Sequence, residues 1–292
     1  MNEEAPNYPT FEEYKSNLQQ LYNFEFDGLS YDEIYNKYYD SAIVLQTLGG
    51  YLVSEKINGR QLYRARPFSQ INENEDLSLI QTYSYPPNNV CNNNGRANIK
   101  HKSVFYCTDS AVAAVKEANV KENERCYLSV WEIQAKRDLK YVSYLPVNLP
   151  ENNYWEKISL FHHDYLLSLN SEVLSYQLEL RNFITSKFMH EEIPYHITSM
   201  IANENLYLGS SKSDVVIYPS YKTMMDYINY AFHPNIVNEH LKIKKIYHFK
   251  VTKFTDENVQ FGIIEVGHLE DDRIIWGKPT EDDRISFNAE NV

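Results

Sequence analysis

The chain is poor in cysteine, in positive charge and in long apolar runs. Its 292 residues include three cysteines, Cys91, Cys107 and Cys126, with no C-x-x-C pair. An odd count at those spacings makes neither a disulfide framework nor a zinc knuckle, and buried thiols are expected. No stretch approaches the ~18 consecutive apolar residues of a spanning helix, so no membrane association is expected. The opening Met1-Asn2-Glu3-Glu4-Ala5-Pro6 lacks the cationic and apolar regions of a secretion signal, which points to a cytoplasmic setting. Basic residues number 28 against 40 acidic ones, a formal charge of −12. Nothing in that balance offsets repulsion from phosphates, so neither direct nucleic-acid binding nor docking on an anionic membrane is expected.

Familiar active-site signatures are missing as well. The sequence has no G-x-x-x-x-G-K-[ST] and no G-x-G-x-x-G, which excludes both common phosphate loops. It has no G-x-S-x-G nucleophile elbow. His190-Glu191-Glu192 with His196 resembles a metalloprotease helix only superficially. The two histidines are six residues apart where one helical face needs four, and Pro194 intervenes. His162-His163-Asp164 puts neighbouring side chains about 100° apart on a helix, a poor arrangement for a shared metal. No metal is expected.

What the chain does have is a core. Hydrophobic residues make up 43%, with 25 Tyr and 13 Phe, too many for a disordered chain. Thr10-Phe11-Glu12-Glu13 is a capping box, followed by Phe11, Tyr14, Leu18 and Leu21 on one face. Ser30-Tyr31-Asp32-Glu33 repeats the device ahead of Ile34, Tyr38, Ala42 and Leu45, with Gly49-Gly50 as the stop. Residues 1–50 thus read as a helical N-terminal extension. Its apolar stripes must pack on the main domain, residues 51–292, or on a partner such as the second subunit of a homodimer.

Beyond Tyr51 short apolar segments alternate with Asn-rich turns. Strands are expected at Ser103–Cys107, Tyr127–Ile133, Val215–Tyr218, Lys245–Phe254, Phe261–Val266 and Arg273–Trp276. Helices are expected from Asp109 as cap through Ala118, and over Trp155–His190 with a break near Asn170-Ser171. A further helix is expected over Tyr221–Phe232, closed by Pro234. Strands and helices without a βαβ rhythm indicate an α+β fold.

A dispersed set of residues carries the chemistry. It comprises Tyr63-Arg64-Ala65-Arg66, Asn94-Gly95-Arg96-Ala97-Asn98, Val104-Phe105-Tyr106-Cys107-Thr108-Asp109 with Glu117 on the helix that follows, Tyr195-His196-Ile197-Thr198, and Tyr218-Pro219-Ser220. In this order the set resembles the RES domain family, which carries an early Tyr-Arg, a Gly-Gly-Arg-Trp-Asn segment, an apolar-Tyr strand, an Ala-x-x-Glu helix and a late Tyr-Pro-Ser. Arg64, Glu117 and Ser220 stand for the family's Arg, Glu and Ser. Ten residues separate Arg96 from Tyr106 and eleven separate Tyr106 from Glu117, close to the family's spacing. The resemblance runs from about Gln61 to Phe254. Asn94 and Ala97 replace the family's first Gly and its Trp, and the longer stretch between Arg64 and Arg96 suggests an extra loop over a cleft.

The resemblance implies a curved, mixed β-core with an ADP-ribosyltransferase-like NAD cleft. It implies NAD as the substrate, cut at the nicotinamide–ribose bond by hydrolysis or phosphorolysis, in a bacterial toxin silenced by a cognate antitoxin. Transfer of ADP-ribose to a specific protein, or NAD binding without catalysis, are the alternatives. Glu117 is the candidate catalytic carboxylate, because the charge growing on the ribose calls for an opposed negative group. Arg64 and Arg96 fit the pyrophosphate, since a guanidinium offers a bidentate fork. Tyr106 would stack on nicotinamide or hold a ribose hydroxyl, and Ser220 would add a hydroxyl at a strand end.

Overall fold

A computed structural model describes residues 9–42, 49–168, 171–209, 212–254 and 259–290. Both capping boxes form. Glu13 accepts from the Thr10 amide at 2.8 Å and Glu33 from the Ser30 amide at 2.8 Å, opening α1 (Phe11–Tyr22) and α2 (Tyr31–Ser41). Leu45 lies outside the described residues. Gly49 and Gly50 do not stop a helix; they open strand β1 (Gly49–Leu52). A Cβ at Gly49 would run into the Tyr141 carbonyl, so the close approach of the neighbouring strand requires glycine there.

The chain continues through a helical turn, α3 (Ser54–Ile57), to β2 (Gln61–Pro67), β3 (Phe105–Thr108), α4 (Ala111–Glu117), β4 (Arg125–Ile133) and β5 (Leu139–Ser143). The long helical pattern resolves into α5 (Glu156–Leu167) and α6 (Ser171–His190), followed by α7 (Ile197–Asn203). Then come β6 (Val215–Pro219), β7 (Ile228–Phe232), α8 (Pro234–His240), β8 (Leu241–Phe254), β9 (Val259–Glu270), β10 (Arg273–Gly277) and α9 (Glu281–Glu290). The expected helix over Tyr221–Phe232 is therefore corrected. One tight turn, Tyr221–Thr223, leads through left-handed Met224 (φ 51°) and Met225 (φ 69°) into β7. Pro234 sits in the first turn of α8 instead of closing a helix, where its missing N–H costs nothing.

The strands form one ten-stranded sheet in the order β1-β5-β6-β7-β3-β2-β4-β8-β9-β10. Only β5 and β6 run parallel; every other pair is antiparallel. The fold is α+β. Among the described residues no helix is long and apolar enough to cross a membrane.

One junction of the sheet is thin. β2 and β3 share a single registered pair, Tyr63 with Thr108, and beyond it the strands part. On one face, helices cover the two halves separately. α1, α2, α6 and α7 build a core on the β5-β6-β7 half, where Tyr14, Leu21, Phe188, Met200, Val216 and Ala231 are buried together. α4 and α9 build another on the β2-β4-β8-β9 half, where Val115, Leu128, Tyr247 and Phe287 meet. The N-terminal helices thus share their core with the sheet. The stretch expected to form a loop over the cleft packs across the sheet, and its Gln70 lines the cleft. Its Ser78 carbonyl accepts from the Ile274 amide at 2.8 Å, and Tyr83 is buried.

Candidate functional site

The gap between the parted strands is a cleft of about 280 Å³. Arg64, Arg96, Tyr106 and Glu117 all line it, together with Ala65, Tyr195, Tyr218, Lys222 and Asn229. Residues far apart in sequence therefore converge: β2 and β3 supply Arg64 and Tyr106, α4 supplies Glu117, β6 and β7 supply Tyr218 and Asn229, and Arg96 comes from the turn ahead of β3. None of the lining residues belongs to the N-terminal helices.

Arg64 and Arg66 are two positions apart on β2 and share a face, yet their surroundings differ. Arg66 is fully engaged: both terminal nitrogens meet Glu75, at 2.6 and 2.7 Å, and it also donates to the Thr82 and Gln70 carbonyls. Arg64 reaches only the Tyr83 carbonyl at 3.4 Å, and no ion pair holds it among the described residues. Burial, with Arg66 nearby, pushes its guanidinium down to about 10. A cation with most of its donors uncommitted is set up for an anion.

Arg96 is carried on a braced turn. Gly95 and Asn98 exchange backbone hydrogen bonds at 2.9 and 3.3 Å. The Tyr106 hydroxyl accepts from the Ala97 amide at 2.7 Å and donates to Asn98 Oδ1 at 2.8 Å. Its hydroxyl is thus committed to the turn, and the ring is what Tyr106 presents to the cleft. Burial raises that phenol well above its ordinary value. Ala97 is fully buried. The Arg96 guanidinium stacks 4.6 Å from the Tyr195 ring and donates to the Phe188 carbonyl at 2.7 Å, at the end of α6.

Glycine is required at the start of this turn. A Cβ on Gly95 would lie 2.8 Å from the Tyr106 hydroxyl oxygen and closer still to Asn98 Oδ1. Gly95→Ala is expected to loosen the turn that carries Arg96, at a cost of about 1–3 kcal/mol. Thermal unfolding of the variant checks this; an unchanged melt would remove the constraint.

Glu117 ends α4. Its Oε1 accepts from the Ser220 hydroxyl at 2.6 Å and from Asn229 Nδ2 at 3.0 Å. Among the described residues no donor takes Oε2, which leaves that oxygen to the cleft. Ser220 itself is fully buried; it stands beneath the carboxylate and steadies it, and does not form the cleft wall. Lys222 donates to the Lys116 and Glu117 carbonyls at 3.3 and 3.4 Å, a cation at the negative end of α4.

Sequence reasoning missed Asn229. It lies on β7, which the apolar pattern had assigned to a helix, and no spacing from Glu117 marks it. Elsewhere, His162 is buried with its ring nitrogens 3.3 Å from the Tyr141 hydroxyl and 3.2 Å from Ser143 Oγ. Burial pushes its imidazole down to about 4. All three cysteines are free and buried.

Comparisons of the chain with protein-family models, with curated proteins and with solved structures each find no match.

Proposed function

We propose that this chain cleaves NAD at the nicotinamide–ribose bond. The observation that carries the reading is Glu117. Its carboxylate is fixed through one oxygen by Ser220 and Asn229, with the other left to a cleft that also presents Arg64 and Arg96. The ordered resemblance to the RES family points the same way, and with it to a toxin whose cleft a cognate antitoxin would cover.

The chemistry asks little proton transfer of the protein. The C–N bond to a pyridinium breaks with its electron pair going to the ring, so nicotinamide leaves neutral. Positive charge grows on the ribose, and a carboxylate already aimed there stabilises it without reorganisation. Water then completes the sugar, giving ADP-ribose and one proton; phosphate in place of water gives the phosphorylated sugar. A cleft of about 280 Å³ is near the lower bound of roughly 300 Å³ for small-molecule sites. That size suits the nicotinamide–ribose end, with the pyrophosphate at the arginines.

Incubation of the purified chain with NAD, with and without phosphate, tests the reading through free nicotinamide. Release is expected in both, and release that rises with phosphate selects phosphorolysis. No release above the uncatalysed background sinks the proposal.

Arg64→Lys separates binding from chemistry. Lysine keeps the charge and loses the planar fork. NAD affinity is expected to fall about tenfold, equivalent to losing one charge-assisted hydrogen bond of about 1.5 kcal/mol. Unchanged affinity by calorimetry would shift the phosphate role to Arg96, since Arg66 is already spent on Glu75.

A further inference from the structure

A larger cavity, about 620 Å³, opens beside the start of β2 and β7. It shares Tyr63 with the cleft but none of Arg64, Arg96, Tyr106 or Glu117. Tyr154, Trp155, Tyr227 and Tyr230 give it aromatic walls, and Asp109 and Asp226 give it two carboxylates.

The charges in this cavity are unbalanced. Asp109 accepts from the Ile228 amide at 3.0 Å and feels the charge of Arg60, but among the described residues neither it nor the solvent-exposed Asp226 has a direct ion-pair partner. The one cation on the wall, Arg60, is drawn instead over the Tyr154 ring, 3.9 Å from its centroid. Burial pushes the Asp109 carboxyl up to about 6, so its ionised form carries a desolvation cost that a bound cation would offset. The stacked Arg60 shows that these walls accept a planar cation.

We infer that this cavity is a second small-molecule site, built for a guanidinium-bearing ligand. The guanidinium would stack on the aromatic walls and meet Asp109, whose charge Arg60 offsets only in part, with the exposed Asp226 beside it, a combination that a neutral or anionic ligand could not use. The site stands apart from the NAD reading, and either can fail alone.

The test is calorimetric titration of the full chain with butylguanidinium and with butylurea, its uncharged analogue of the same shape. Saturable one-to-one binding of butylguanidinium is expected, with butylurea at least tenfold weaker. Asp109→Asn should weaken the cation at least tenfold while keeping an oxygen for the Ile228 amide. Asp226→Asn, whose side chain makes no hydrogen bond among the described residues, gives the same readout if the first variant folds poorly. Glu117→Gln should leave butylguanidinium binding unchanged. Absence of saturable binding, equal binding of butylurea, or full affinity in Asp226→Asn would overturn the inference. Loss of binding in Glu117→Gln would also overturn it, by placing the cation in the cleft.

Discussion

Glu117→Gln is expected to fold as the native chain does and to release nicotinamide from NAD about a hundredfold more slowly, or slower still. The local geometry explains why the fold should survive. Ser220 and Asn229 both donate to Oε1, and a glutamine amide keeps an oxygen that can accept both bonds. What disappears is the negative charge at the second oxygen, the one left to the cleft. An interaction that matters only when charge develops on the sugar should cost rate and leave affinity almost untouched. The diagnostic pattern is therefore a large fall in kcat with KM and thermal unfolding unchanged. Native turnover in this variant would remove Glu117 from the chemistry. A variant that loses NAD affinity instead would recast it as a binding group.

The motif residues were legible for a physical reason. Arg96, Tyr106 and Glu117 lie within one continuous turn–strand–helix passage, where sequence spacing translates directly into spatial spacing. Both N-terminal helices were equally readable, since a capping box and an apolar stripe are local signals. Long-range partners were not. Whether Arg64 or Arg66 is available depends on Glu75, nine residues on across a turn, and nothing in the Tyr-Arg-Ala-Arg run distinguishes them.

β7 shows a second limit. Ile228, Asn229, Tyr230, Ala231 and Phe232 are all buried, because the strand sits inside the sheet with helices on its outer face. A strand buried on both sides loses the alternation that marks a half-exposed one. A short apolar run of this kind is equally compatible with a helix. The misassignment concealed Asn229, and with it the pair of donors, Ser220 and Asn229, that holds Glu117. The role expected of the Tyr106 hydroxyl also shifted, because the residues it braces were identifiable only once the turn had closed.

Removing residues 1–48 is expected to abolish cooperative folding. Tyr14, Leu18, Leu21, Phe26, Ile34 and Tyr38 are buried in the core that also holds Val142, Phe188, Ile197, Val216 and Ala231. At roughly 1.5–3 kcal/mol per buried large apolar side chain, the loss is on the order of 10 kcal/mol even after discounting for residual burial in the unfolded chain. That matches the whole stability of a typical domain, about 5–15 kcal/mol. The deletion also uncovers one apolar face of α6 and α7, a surface that invites aggregation. Tyr31 adds a polar tie, its hydroxyl donating to Glu204 at 2.6 Å and accepting from Asn203 at 3.1 Å. A chain beginning at Gly49 should therefore show no sharp thermal transition by circular dichroism and should precipitate on concentration. It should release no nicotinamide, although no cleft residue has been removed. If it melts cooperatively within a few degrees of the intact chain, the shared core does not depend on these helices and they are an accessory layer. If it melts so and still binds NAD without cleaving it, the helices contribute to the cleft in a way that the positions of its lining residues do not account for.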